Sequence, residues 1–204
     1  PAAASMLSSD PGFEALGGTT NGVDGGVAFD PETSASFSVT AWIKPDDPAL
    51  VPAAVGSGTS VSPNIAQKGT RQTAATSHFW KMSLAMTTNT AGQKRWFAFC
   101  EFKGATVAAP SVEKTAKPGY LSAAGRLLLE PGTAYKMECI KTATSATVAV
   151  TPSGGTRVFK TETLAAPINV SNDRPLSVGK KPGSLFGNDS YAGIIDNLVI
   201  DKTP

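Results

Sequence analysis

The side chains that could perform acid–base chemistry are few and scattered along the chain. Glu101 and Glu138 each neighbour a cysteine on a predicted strand, so their carboxylates would come close together if those strands pair. Paired carboxylates carry out glycoside hydrolysis. The single histidine, His78, together with Tyr120 or Tyr135, would suit a lyase. The simpler interpretation, which we favour, is that the glutamates face solvent or pair with lysines and that His78 is structural.

Cys100 and Cys139 are the two cysteines of the chain, and each lies within a predicted strand. They form a disulfide if the two strands are neighbours with suitable Cα spacing. The alternative is a pair of buried free thiols, which behave as small hydrophobic side chains. An even number of cysteines in an exported protein favours the bridge. One histidine and two separated cysteines do not suit zinc.

Sugar binding needs an aromatic face beside polar groups, and several aromatic residues meet this requirement. Some of them lie on or near predicted loops, where binding residues concentrate. Trp80 follows His78 in a hairpin that could face a concave surface, although core packing is the alternative for this residue. Asn188 and Asp189 lie in a glycine-flanked loop, where they would contact sugar hydroxyls or calcium, or simply form a turn. The candidate ligand-binding residues are Trp80, Tyr120, Phe186, Asn188, Asp189 and Tyr191.

Composition excludes several classes of partner. Only 17% of the 204 residues are charged, against about 25% in average soluble proteins. The formal net charge of +2 is too small and too evenly spread for a nucleic-acid-binding surface. The chain has no run of about 18 apolar residues. We therefore predict no nucleic-acid partner and no membrane span.

Alternation of apolar and polar residues with a period of two indicates many short strands. Residues 36–44 place Phe37, Val39, Ala41 and Ile43 on one face. Similar runs occur at 80–86, 96–102, 135–140, 146–150 and 191–200, with turn-forming residues between them. Residues 48–62 and 104–124 are predicted to be long loops. The pattern predicts an all-β domain of two packed antiparallel sheets, preceded by a linker or edge segment at residues 1–20.

Six motifs in order resemble the laminin-G-like branch of the concanavalin A-like lectin/glucanase superfamily. They are an N-terminal signature from Gly26 to Pro45, a strand at Ile65, a hairpin at 79–86 and 95–102, a strand pair that begins at Tyr135, and short motifs at Pro175 and Gly193. The resemblance implies one antiparallel two-sheet jelly-roll sandwich over residues 21–204, with Trp42 in the core. It does not imply an activity, because function depends on sites carried by the fold. The Glu-x-Asp-x-x-Glu motif of the glucanase members does not occur in this chain.

The same resemblance implies a structural calcium ion between the N-terminal segment and the closing strand. Asp196 of the closing strand matches a usual ligand, with Asp30 and Asp24 as candidate partners. Calcium takes 6–8 oxygen ligands, including backbone carbonyls. The glycine-rich stretch around Asp24 would supply such oxygens. The alternative is that Asp24 and Asp30 form Asx turns.

These observations favour a non-catalytic recognition module of a secreted or cell-surface protein that binds a glycan or cell-surface polysaccharide, with possible calcium support. An adhesion or assembly domain that binds a protein partner and has no sugar site is the main alternative. A polysaccharide lyase or glycoside hydrolase is the weaker one.

Overall fold

The computed structural model is a two-layer β-sandwich, which confirms the predicted fold class. It describes residues 13–15, 29–33, 36–49, 62–69, 78–88, 91–119, 126–172, 174, 176–179 and 191–203. Within these ranges every regular element is a strand. The strands are β1 (Phe13–Ala15), β2 (Ser36–Pro45), β3 (Asn64–Lys68), β4 (Phe79–Thr88), β5 (Lys94–Thr106), β6 (Ala109–Ala116), β7 (Leu127–Leu129), β8 (Tyr135–Thr142), β9 (Ser145–Pro152), β10 (Val158–Thr163), β11 (Ile168–Asn169), β12 (Leu176–Val178) and β13 (Gly193–Thr203).

The strands form two antiparallel sheets that pack face to face. The larger sheet has the order β1-β12-β3-β4-β5-β11, with β6 and β7 also paired to β5. The smaller sheet has the order β10-β9-β8-β2-β13. Neighbouring strands such as β12 and β3, or β2 and β13, are distant in sequence. These crossings between distant strands are those of the predicted jelly-roll type.

Period-two alternation explains the core. Phe37, Val39, Ala41 and Ile43 of β2 are buried, with the intervening residues more exposed, as predicted. Strands β8 and β9 follow the same rule, and their inward side chains join one apolar cluster with those of the larger sheet. Each of these strands therefore presents one face to the core and one face outward.

Strand β5 is apolar on both faces. Its core-facing side includes Trp96 and Cys100, while Phe97 and Phe99 on the opposite side form a second small cluster with Ala85. Apolar side chains of this strand are therefore buried on both faces of the larger sheet.

The long loop predicted at residues 104–124 is wrong in part. Strand β5 continues to Thr106, and β6 folds back against it, pairing Phe102 with Ala116. Strand β1 lies within the segment predicted as a linker or edge strand, and it forms the edge of the larger sheet next to β12. Residues 50–61 of the other predicted long loop lie outside the described residues.

Cys100 and Cys139 form a disulfide, with their Cα atoms 5.7 Å apart. Cys100 is on β5 of the larger sheet and Cys139 is on β8 of the smaller sheet. The bridge therefore joins the two layers through the core. The predicted disulfide is confirmed.

No helix in the described part of the chain is long and apolar enough to cross a membrane.

Candidate functional site

A groove of about 330 Å³ opens on the outer face of the smaller sheet. We call it the Trp42 groove. It lies where β2 and β13 pair, next to the turn that precedes β8. Its lining residues are Trp42, Ile43, Lys44, Ala134, Ile194, Asp196 and Asn197.

Trp42 faces outward because its neighbours in β2, Ala41 and Ile43, face the core. It pairs with Asp196 of β13 on one side and with Lys136 of β8 on the other. Side chains opposite one another on one sheet face lie roughly 4.5–5.5 Å apart at Cβ. An acid and a cation therefore flank the indole ring. The expectation that Trp42 belongs to the core is wrong.

A β-bulge shapes the edge of this groove. Asp196 pairs with Trp42, but the next pair joins Val199 to Thr40, so β13 carries one extra residue. Asn197, inside the bulge, has φ of 50°, a left-handed conformation that asparagine tolerates better than most residues. Bulges redirect side chains and occur often beside functional sites.

The Asp196 carboxylate is the unusual group of the groove. Its Oδ1 atom is buried and has no hydrogen-bond partner within the described part of the chain. A buried acceptor without a partner costs about 1–3 kcal/mol, and more when the group is charged. A donor that reached this carboxylate would offset part of that cost. Four other buried side-chain atoms of the described residues also lack a partner, Ser62 Oγ, Arg126 Nε, Asn169 Oδ1 and Ser177 Oγ, but of the five residues Asp196 is the one that lines the groove.

Cations beside the groove are largely engaged already. Arg157 Nε lies 2.8 Å from Oε2 of Glu138, and Lys136 Nζ lies 3.6 Å from Oε1 of the same carboxylate. The Arg157 guanidinium also lies over the Phe159 ring, 5.3 Å from its centroid. Lys44 is an exposed residue of the groove lining.

The structure does not bring the predicted acid–base residues together. Glu138 points outward from the smaller sheet, whereas Glu101 points outward from the larger one. Lys117 and Lys81 lie 3.0 and 3.4 Å from the Glu101 carboxylate. His78 Nδ1 lies 3.1 Å from the Ser171 carbonyl oxygen. The glutamates thus lie on opposite outer faces of the sandwich and each contacts cations, so the favoured interpretation is confirmed and the alternative of a carboxylate pair is wrong.

Two of the predicted ligand-binding residues are buried, which corrects their expected position. Trp80 has no exposed surface; its indole nitrogen donates to the Phe29 carbonyl and its ring packs against Phe37. Tyr191 is 2% exposed and its hydroxyl donates to the Ile194 carbonyl, 3.4 Å away. Burial, reinforced by the Asp46 carboxylate, raises the pKa of Tyr191 well above its usual value. Both are core residues. Tyr120, Phe186, Asn188 and Asp189 lie outside the described residues.

The predicted calcium ligands do not converge. Asp30 is buried and its Oδ1 lies 2.9 Å from Lys68 Nζ, while its Oδ2 accepts from the Asn172 amide at 2.8 Å. Asp196 pairs with Trp42, near the opposite end of β2 from the 29–33 segment. No group of three or more histidine, cysteine or acidic side chains suited to a metal occurs among the described residues. Asp24 lies outside them.

The position of Asp30 follows from contacts of its neighbour. The Glu32 carboxylate accepts a hydrogen bond from Lys202, and the Glu32 backbone carbonyl accepts one from Lys141. Both lysines lie opposite Phe37, near the start of β2, in the strands that flank it. Five residues of extended strand, about 17 Å, separate Phe37 from Trp42. Asp30 and Asp196 therefore do not fit one calcium site.

A second polar surface lies on the outer face of the larger sheet. Ser83 Oγ donates to Asn64 Oδ1 at 2.6 Å, and Asn64 Nδ2 donates to Gln67 Oε1 at 2.7 Å. All three residues are buried, as is Ser177, which pairs with Gln67. Ser83, Asn64 and Gln67 form an internal hydrogen-bond network with little access for a ligand, while the buried Ser177 hydroxyl has no partner within the described residues.

Sequence reasoning missed the groove residues Trp42, Lys44 and Asn197. The signal for Trp42 was present, because the alternation that placed Ala41 and Ile43 inside required Trp42 to face outward. No comparable signal marked Asn197, since its bulge depends on the pairing of β13 with β2.

The fold recurs in domains of larger proteins. The chain is similar to the enzymatically active domain of tailspike protein 2 of bacteriophage CBA120, with 14% identity, a TM-score of 0.55 and coverage of 86% of this chain and 23% of that chain. The full-length tailspike protein 2 of the Escherichia coli O157:H7 bacteriophage CAB120 matches with 14% identity and a TM-score of 0.53. The match covers 86% of this chain and 21% of that chain. Domains LG4-5 of the mouse laminin α1 chain match with 14% identity, a TM-score of 0.48 and coverage of 98% and 42%.

This chain therefore spans less than a quarter of the tailspike chains it matches. At 14% identity the likeness concerns the fold alone. No protein-family model matches the chain, and a search of curated proteins finds no match.

Proposed function

We propose that this chain is a recognition domain that binds a glycan in the Trp42 groove. The observation that carries the proposal is the combination of an outward tryptophan with a neighbouring buried carboxylate oxygen that lacks a partner. An aromatic face stacks on the C–H face of a sugar ring, and a carboxylate accepts from its hydroxyls. The two requirements for sugar binding are met at one place.

The size and lining of the groove agree with this role. Small-molecule sites have volumes of about 300–1,000 Å³, with mostly apolar walls and a few polar groups. The Trp42 groove, at about 330 Å³, lies at the small end of this range. Trp42, Ala134 and Ile194 supply apolar surface, and Asp196 and Asn197 supply polar groups. These dimensions suit one or two sugar units.

A binding role is favoured over catalysis by the arrangement of acids. Glycoside hydrolases use two carboxyl groups about 5–9.5 Å apart. Among the described residues that line the groove, Asp196 is the sole acid.

Export to the cell surface or the medium is part of the proposal. The Cys100–Cys139 bridge supports it, because disulfides persist in oxidising compartments and are rare in the cytosol.

A glycan array probed with the purified domain tests the proposed function. Wild type and Trp42→Ala are compared, with Phe159→Ala as the matched control. Phe159 is an exposed aromatic on the same sheet face but outside the groove. Wild type and Phe159→Ala should bind the same glycans, and Trp42→Ala should lose them. Running the array with calcium and with a chelator tests whether calcium contributes.

Absence of binding to every glycan, or binding unchanged by Trp42→Ala, would contradict the proposal. Cleavage of a bound polysaccharide by the purified protein would contradict the non-catalytic role.

A protein-interaction domain is the second candidate function. It is favoured by Val158 and Phe159, which are 47% and 57% exposed on β10, an edge strand of the smaller sheet. Exposed apolar groups on a free strand edge suit strand pairing with a partner chain. In the glycan array this candidate predicts no binding, while Phe159→Ala would weaken capture of the partner and Trp42→Ala would not.

A further inference from the structure

We infer that the sugar unit held in the Trp42 groove is an uncharged pyranose that donates a hydroxyl hydrogen bond to the carboxylate of Asp196. The inference rests on the proposed function and narrows the class of its ligand. It separates neutral sugars from uronic or sulfated sugars and from amino sugars that carry a free amine.

The first argument is hydrogen-bonding direction. An ionised carboxylate accepts hydrogen bonds and cannot donate them. Asp196 lines the groove and its Oδ1 lacks a partner within the described residues, so a ligand that meets this carboxylate must present a donor. A sugar hydroxyl is such a donor. The carboxylate of a uronic acid or a sulfate ester is not, and would be repelled by Asp196.

The second argument is the charge balance around the groove. Lys136 and Arg157 both contact the Glu138 carboxylate, so their charges are partly neutralised. Lys44 and Asp196 are the charged residues in the described part of the groove lining, and their formal charges cancel. An acidic sugar would depend on exposed Lys44, whose attraction is screened by salt.

A free amine is disfavoured by the same residues. Lys136 pairs with Trp42 on the side away from Asp196, and Lys44 lines the groove. An ammonium bound next to Asp196 would be repelled by Lys44, although the charge of Lys136 is partly neutralised by Glu138. A hydroxyl satisfies the carboxylate without that repulsion.

The third argument is the division of the lining into apolar and polar parts. Trp42 and Ile194, which is 40% exposed, present apolar surface, while Asp196 and Asn197 lie together on β13. A ligand that fits has one apolar face and hydroxyls along its edge. A neutral pyranose has this distribution, with C–H groups on one ring face and hydroxyls around the rim.

Isothermal titration of tetrasaccharides tests the inference. The panel contains neutral glucose, galactose and mannose tetramers, a uronic acid tetramer and a deacetylated glucosamine tetramer. Wild type, Asp196→Asn and Asp201→Asn are compared. Asp201 is the matched control, because it is an exposed aspartate on the same face of β13 but away from the groove. Circular dichroism confirms that each variant is folded.

We expect at least one neutral tetramer to bind more tightly than both charged tetramers. Asp196→Asn should weaken that binding by about 10-fold or more, since a hydrogen bond to a charged group is worth about 1.5–3 kcal/mol. Asp201→Asn should leave it unchanged.

Each other outcome has a defined meaning. Preference for the uronic or the glucosamine tetramer, or neutral binding that Asp196→Asn does not weaken, would overturn the inference and leave the glycan-binding function standing. Binding of no tetramer, together with an empty glycan array, would overturn both. Wild-type preference alone decides the sugar class if a variant fails to fold.

Discussion

The Nζ atom of Lys68 lies 2.9 Å from Oδ1 of Asp30, and neither side chain has any exposed surface. Lys68 also donates to the Asn172 carbonyl at 2.6 Å, and the Asn172 amide donates to Oδ2 of Asp30. Burial raises the pKa of the Asp30 carboxyl, against the opposing effect of the hydrogen bonds from Asn172 and Lys68. The ion pair and the Asn172 hydrogen bonds therefore hold the 29–33 segment against β3 and against the chain that follows β11.

Lys68→Met should lower the free energy of unfolding by about 3–5 kcal/mol, because removing one partner of a buried ion pair leaves the other charge uncompensated. Lys202→Met is the control. It breaks an ion pair with Glu32 that is partly exposed, so it should cost about 1 kcal/mol or less. Urea denaturation at pH 7 measures both. Equal losses in the two variants would contradict the structural role assigned to Lys68.

Lys141 should make stability rise at alkaline pH. The residue is 1% exposed and donates to the Glu32 carbonyl, and burial lowers its pKa from 10.5 to about 8. Below about pH 8 both the folded and the unfolded chain hold its proton. Between about 8 and 10.5 the unfolded chain holds more protons, so stability increases with pH, by on the order of 3 kcal/mol in total.

Lys141→Met removes this contribution, so the difference in stability between wild type and the variant should change across that pH window. Subtracting the variant's curve also cancels the titration of other lysines and tyrosines. Lys114→Met, at an exposed position of β6, should leave the curve parallel to that of wild type. Urea midpoints measured from pH 7 to 10.5 provide the curves. Parallel curves for wild type and Lys141→Met would refute the prediction.

Trp80 and Trp42 should respond in opposite ways to replacement by alanine. Trp80→Ala empties a buried site and should cost about 3–5 kcal/mol. Trp42→Ala removes an outward side chain, so its cost should stay below about 1 kcal/mol, although glycan binding should be lost. Thermal and urea unfolding, followed by circular dichroism, measure stability in both. A large loss of stability in Trp42→Ala would show that this ring is part of the core.

The disulfide should stabilise the sandwich because it closes a loop between residues 39 positions apart. Replacing both Cys100 and Cys139 by alanine should lower the free energy of unfolding by about 2–4 kcal/mol. Both cysteines are at most 1% exposed, so a reducing agent should act on wild type only as it unfolds. Urea unfolding with and without reductant measures this. The stability of the double variant should not change with reductant. If it did, the effect of reductant on wild type could not be assigned to the disulfide.

The positions of the principal strands and the inward faces of several of them follow from the sequence. Alternation is a property of neighbouring residues, so Phe37, Val39, Ala41 and Ile43 could be assigned to one face without knowing what they pack against. The sequence favoured a disulfide between Cys100 and Cys139, the two cysteines of the chain, but it left free thiols as an alternative because strand positions were needed to decide. Strand β6 escaped detection because the stretch around it is interrupted by proline, glycine and lysine, which resemble a loop.

Tertiary structure alone decided which groups meet. Asp30 finds Lys68 at a separation of 38 residues and Asn172 at 142. Asp196 lies beside Trp42 only because β13 returns to pair with β2, with a bulge that fixes the register. A local pattern sets the face on which a side chain lies, but strand order and register set its neighbours. Those depend on contacts between distant segments, which no local spacing encodes.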